Sequence, residues 1–195
     1  MKRSWLTALV LAPLACRAGG DGRPSDGGTV VDSVLPMEVM LARFRDGLPR
    51  PTTLHGDSDS RDALVREVIT ALEASDTAAF ERLAVDRGEW AWLYFPGNVL
   101  SRSPYELPPG LAWFQLQEAN RQGVFRALRE FGGRRLDYRG YRCNPEPTTE
   151  GANRLWIGCT VTIGRDSTPP VPIRLFSAIL ERGDRFLILS YANDF

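Results

Sequence analysis

The sequence predicts an α+β fold, with helices packed on a curved four-stranded antiparallel sheet. Two observations carry that expectation. Between residues 59 and 133 apolar side chains recur at helical spacing, and beyond residue 134 they alternate at the strand period of two. Helices first and an antiparallel meander last is the α+β order. The stretch 59–195, roughly 135 residues, suits one domain with a sizeable core.

The amino terminus reads as a processed signal. Lys2 and Arg3 precede the apolar run "WLTALVLAPLA" (residues 5–15), about half the roughly 20 residues needed to span a bilayer. A positive start, a short apolar stretch and a small residue before the break mark a secretory signal. "LAPLAC" resembles a bacterial lipoprotein signal, in which Cys16 becomes the lipidated first residue of the mature chain. Pro13 stands three before the cysteine, where that family has a branched apolar residue. The alternative is an ordinary signal cut nearby, with Cys16 left as a free thiol. The expected organisation is a signal peptide at 1–15, a flexible tether at 16–30, a helical extension at 31–58 and one α+β domain at 59–195. The lipid would hold the protein to a membrane of the bacterial cell envelope, on a periplasmic or outer-membrane face.

The tether, "CRAGGDGRPSDGGT", carries too little apolar surface to fold. In the extension, Met37, Met40, Leu41, Phe44 and Leu48 repeat at helical spacing between Pro36 and Gly47. Such a helix either docks a partner or packs on its own domain. Ser58, Asp59 or Ser60 can cap a helix striped by Leu64, Val65, Val68, Ile69 and Leu72. "ASD" (74–76) then breaks and re-caps a shorter helix. A third helix, from "LAWFQ" at 111, stops at Gly132 and Gly133, and Gly123 weakens its middle.

The remainder reads as strand. "RLDYRGYRC" alternates and skips at Gly140, which suits a bulge. "RLWIGCTVTI" places Leu155, Ile157, Cys159, Val161 and Ile163 on one face. "VPIRLFSAILERGDRFLILSYAND" reads as two strands about a tight turn at Gly183-Asp184. With Cys16 lipidated, Cys143 and Cys159 remain as a pair in an oxidising compartment, where a disulfide persists; two buried free thiols are the alternative.

Composition removes much chemistry. The chain has 24 basic and 24 acidic residues; without Lys2 and Arg3 the balance is 22 to 24, net −2. That is no footprint for nucleic acid. No lysine follows Lys2, which excludes Schiff-base and P-loop lysines from the mature chain. The one histidine, His55, lies in a loop-like stretch without a GxSxG partner motif. With that single histidine, a zinc site of the usual ligands cannot be assembled. No cofactor or metal is expected, and His55 reads as a loop residue without catalytic duty.

The densest unusual feature is "GEWAWLYFP". If extended, it puts Trp90, Trp92 and Tyr94 on one face as an aromatic wall. With Trp113, Tyr138 and Trp156 they form the candidate ligand pocket, or simply fill the core. Glu89 is the weak catalytic candidate, since an apolar setting raises a carboxyl pKa; the competing expectation is that it is exposed and solvated. Seven arginines between Arg121 and Arg142 suit a carboxylate or phosphate, or a solvated surface of scattered ion pairs.

The joint "ALEASDTAAFERLA", the third helix and the bulged strands resemble the ketosteroid isomerase and nuclear transport factor 2 superfamily, over residues 59–195. That resemblance implies a helix-wrapped, cone-like sheet whose mouth isomerises, dehydrates, cyclises or binds. The leading expectation is a membrane-anchored envelope binding or interaction module for a small apolar ligand or an envelope protein. The alternative is a small isomerase- or dehydratase-like enzyme using a carboxylate and tyrosines such as Tyr94 or Tyr138. Fold alone does not choose between them.

Overall fold

The computed structural model describes residues 35–193 except 166 and 167. The signal, Cys16 and the tether lie outside the described residues. Five helices come first: α1 (Met37–Arg45), α2 (Arg61–Ala74), α3 (Thr77–Arg82), α4 (Arg87–Glu89) and α5 (Pro109–Phe131). A π-helical turn, Trp90–Tyr94, follows α4 directly. Seven strands complete the fold: β1 (Tyr138–Arg142), β2 (Thr148–Glu150), β3 (Asn153–Ile157), β4 (Thr160–Arg165), β5 (Thr168–Ile173), β6 (Ala178–Arg182) and β7 (Arg185–Ser190). No helix among the described residues is long and apolar enough to cross a membrane.

Local chemistry sets the helix starts. The Ser60 hydroxyl accepts from the Ala63 N–H at 3.1 Å, and the Asp76 carboxylate accepts from the Ala79 N–H at 3.0 Å. Each bond satisfies a donor that the first helical turn leaves without a partner.

The strands form two antiparallel sheets, ordered β1-β4-β5 and β2-β3-β6-β7. The architecture is α+β, but the four long strands read from the sequence are broken into six, and β2 is added between the first and second. One break has a clear cause. Gly158, at φ +65°, separates β3 from β4, and a Cβ there would sit 2.3 Å from Asn144 Oδ1. The Cys143–Cys159 disulfide joins the chain just after β1 to this same break. Turning at Gly158 ends the expected alternation: Leu155 is buried in one core, Ile157 is exposed, and Cys159, Val161 and Ile163 belong to another core. In β1 the register shifts between Tyr138 and Gly140, at the expected bulge.

The middles of β3, β6 and β7 are buried on both faces, while the edge strand β2 is exposed. Leu155, Leu180 and Leu187 are cross-strand neighbours on one face, packed with Trp90, Phe95 and Leu41. Trp156, Ile179 and Ile188 are neighbours on the other, packed with Leu64, Val68 and Leu72 of α2. Each such aliphatic side chain contributes about 1.5–3 kcal/mol by leaving water. Two helical layers therefore share one sheet, and the apolar runs "AIL" and "LIL" are continuous because neither face meets solvent.

α5 serves both cores, with Ala112 in one and Ala127 and Phe131 in the other. Between them it crosses the end of β7 at Gly123. A Cβ at Gly123 would lie 1.9 Å from the Tyr191 carbonyl oxygen, so the crossing requires glycine. Asn120 secures it, accepting from the Tyr191 N–H at 2.8 Å.

Candidate functional site

The structure does not gather the predicted aromatic wall into one pocket. The segment after Glu89 is helical, not extended, because Asp86 and Glu89 form a reciprocal capping box that starts a helix there. Spacing four therefore replaces spacing two. Trp90 and Tyr94 are buried together in the second core, where Trp90 stacks on Phe95 at 4.4 Å. Trp92 points elsewhere, half-buried beneath the guanidinium groups of Arg45 (4.1 Å) and Arg50 (4.8 Å).

The other candidates are scattered. Trp156 is on the opposite face of the shared sheet, donating from Nε1 to Glu181 at 2.5 Å with Arg61 over its ring at 3.4 Å. Tyr138 is half-buried beside that same core. The Tyr94 hydroxyl accepts from Asn98, which also donates to Glu150 at 2.8 Å. Burial and then the Glu150 charge push the Tyr94 phenol well above its ordinary range. The arginines between 121 and 142 also separate: Arg121 pairs with Glu118, Arg126 donates to Asn193, Arg129 lies over Phe125, and Arg139 pairs with Asp137.

Glu89 is corrected most sharply. It is 1 % exposed, against the expectation of a solvated carboxylate. Its Oε1 accepts from the His55 backbone N–H. Its Oε2 accepts from the Asp86 N–H at 3.0 Å and faces His55 Nδ1 at 2.9 Å. His55 Nε2 meets the Arg82 carbonyl at 2.9 Å. A carbonyl and a carboxylate both accept only, so the pair of contacts favours the ring with protons on both nitrogens. Burial lowers the His55 pKa, but the Arg82 carbonyl and the Glu89 carboxylate outweigh it and leave a net rise. Ligand atoms of His55, Asp86 and Glu89 fall within 4.8 Å of one another, yet they are turned onto each other and onto backbone groups. The arrangement is a clasp between the 55 loop and α4, with the buried Glu89 carboxylate engaged by His55 and by two backbone N–H groups.

The feature best shaped for a ligand lies elsewhere, between α3 and α5. It is a groove of about 500 Å³, within the usual range for small-molecule sites. Phe80, Val85 and Tyr191 floor it; Trp113, Phe114 and Val124 of α5 wall it. Its aromatic floor is fixed. The Tyr191 hydroxyl donates to the Phe80 carbonyl at 3.1 Å, and the two rings meet edge to face at 5.3 Å. Trp113 leans on buried Trp90 at 5.4 Å. Glu118 and Arg121, paired at 2.7 Å, stand at the polar rim. The bonds from Arg121 and Gln122 hold the Glu118 carboxyl below its usual range.

Of the predicted pocket residues, this groove includes Trp113 alone. Phe80, Phe114 and Tyr191 were not singled out in the sequence. The signal available was the one exposed apolar row on an otherwise amphipathic helix, Leu111, Phe114 and Phe125. For the clasp it was "DRGE", an N-cap aspartate with a glutamate three residues on. Comparison with protein families, curated proteins and solved structures found no match to this chain.

Proposed function

We propose that this protein is a membrane-anchored binding module of the bacterial cell envelope, exported and held by a lipid on Cys16. The groove between α3 and α5 is its ligand site. One observation carries the reading: an aromatic-floored groove of about 500 Å³ whose lining adds the Glu118–Arg121 ion pair and the polar residues Thr77, Glu81, Asp86 and Gln117 to that floor. Such a site suits a small amphipathic molecule, its apolar body on Trp113 and Phe114 and a polar end at Glu118 and Arg121.

Binding is favoured over isomerase or dehydratase chemistry because the acid–base residues are committed. Glu89 and His55 are closed on each other, and Glu118 is half-buried and already paired. The helix-then-sheet order supports kinship with the ketosteroid isomerase and nuclear transport factor 2 superfamily. On that reading β3 and β4, separated only by Gly158 and Cys159, are one bent arm of a curved four-armed meander.

The test is direct. Native mass spectrometry of the gently purified full chain is expected to show a retained small-molecule mass. Titration with 1-anilinonaphthalene-8-sulfonate is expected to saturate at one site. Gln117→Trp fills the groove from an exposed helix position and should weaken dye binding roughly tenfold or more. Absence of saturable binding, or binding indifferent to Gln117→Trp, would reject the groove as the site.

A further inference from the structure

The outer face of α5 carries a second pattern, three of whose four residues also line the groove. Phe114, Glu118, Arg121 and Phe125 follow at spacings of four, three and four. At 100° per residue they fall within an arc of about 60° and span about 17 Å of helix. All four face outward: Phe114 is 64 % exposed and Phe125 62 %, and the side chains of Arg121 and Glu118 are 71 % and 37 % exposed. Two exposed phenylalanines in line on one helix need a reason, because scattered single apolar residues do not form such a row.

The row reads the same in both directions, with opposite charges about its centre. An antiparallel copy of α5, related by a two-fold axis between Ala119 and Asn120, sets Phe114 on Phe125 of the second copy and Glu118 on Arg121 of the second copy. Two aromatic pairs and two ion pairs then form from one patch, as an isologous contact demands. The ion pair within one chain, Glu118 to Arg121 at 2.7 Å, holds both charges on this face already. We infer that the protein forms a two-fold dimer through α5, with a second copy of this chain as the occupant of that face.

One helix pair is smaller than the roughly 1,200–2,000 Å² of a standard interface, so the dimer is a weak one. Phe114, Glu118 and Arg121 also rim the groove, so the second copy walls its open side. The groove's ligand would meet the same Phe114, Glu118 and Arg121, so the dimer is tested with no ligand added.

Sedimentation equilibrium of the full chain in density-matched detergent reads the outcome. The natural chain should move from one chain mass towards two between about 1 and 300 µM, the range of a small interface. Glu118→Arg and Arg121→Glu each place like charges across the axis, and each should weaken association roughly tenfold or more. An equimolar mixture of the two variants restores opposite charges on both sides of the axis. It should associate within about threefold of the natural chain. That recovery also shows that both variants are folded. A natural chain monomeric throughout, single variants that associate as the natural chain does, or a mixture that fails to recover would each overturn the proposal.

Discussion

His55 Nδ1 lies 2.9 Å from Glu89 Oε2, and the His55 backbone N–H bonds the other oxygen of that same buried carboxylate. The only histidine of the chain is thus a charged rivet between a loop and a helix start 34 residues away.

The rivet makes stability depend on pH. The folded-state pKa of His55 is raised above its ordinary 6.5. Its contribution is therefore complete below about pH 6.5 and is lost as pH climbs through the folded value. Urea unfolding at pH values from about 5.5 to 8.5 should show stability falling over that window. His55→Ala should flatten the dependence; an unchanged slope in that variant would show the effect to arise elsewhere.

Glu89→Gln should be costly although it is nearly isosteric. It leaves one acceptor oxygen for three donors and turns an NH₂ towards backbone N–H groups. A loss of about 2–4 kcal/mol is expected from chemical denaturation.

Gly123→Ala pits helix propensity against packing. Alanine gains about 1 kcal/mol in a helix interior, but its Cβ would meet the Tyr191 carbonyl oxygen at 1.9 Å. Overpacking of this kind costs about 3 kcal/mol, so a net loss of about 2 kcal/mol should appear in thermal or urea melts.

The Cys143–Cys159 bond closes a separation of 16 residues, which stabilises by about 3 kcal/mol in the chain-entropy description. Paired Cys143→Ser and Cys159→Ser substitution should lower stability by that order in denaturant titration.

Trp90→Ala and Trp92→Ala should separate cleanly. Trp90 is buried, stacked on Phe95 and touching Phe44 and Trp113, and its loss should cost about 3–5 kcal/mol. Trp92 is half-buried under two arginines, and its loss should cost about 1–2 kcal/mol. Equal costs would favour an extended segment in which both share one face.

What the sequence showed depended on whether the deciding force was local. The Ser60 and Asp76 caps, the α2 stripe, the bulge near Gly140 and the helix end at Gly132 rest on neighbours within a few residues, and all are found. The sequence leaves the segment after Glu89 open because a run of aromatics satisfies period two and period four alike, and only the Asp86–Glu89 box chooses between them. The clasp and the groove were not legible because their parts come from distant segments: His55 with Glu89, and Phe80 with Trp113 and Tyr191. Apolar residues at 178–180 and 187–189 gave no hint that successive positions belong to different cores.

A sheet covered on both sides has lost the usual cue for alignment, since sliding a strand by one residue exchanges one greasy face for another. The polar exceptions must supply the key. Glu181 stands opposite Arg154 in the ladder and accepts a hydrogen bond from the indole N–H of Trp156. A slip of one place would turn its carboxylate to the face of Leu155 and Trp90, with no partner there. Glu181 is the notch that makes β3 and β6 engage in one setting only, so Glu181→Leu should loosen strand alignment more than its modest change in bulk suggests.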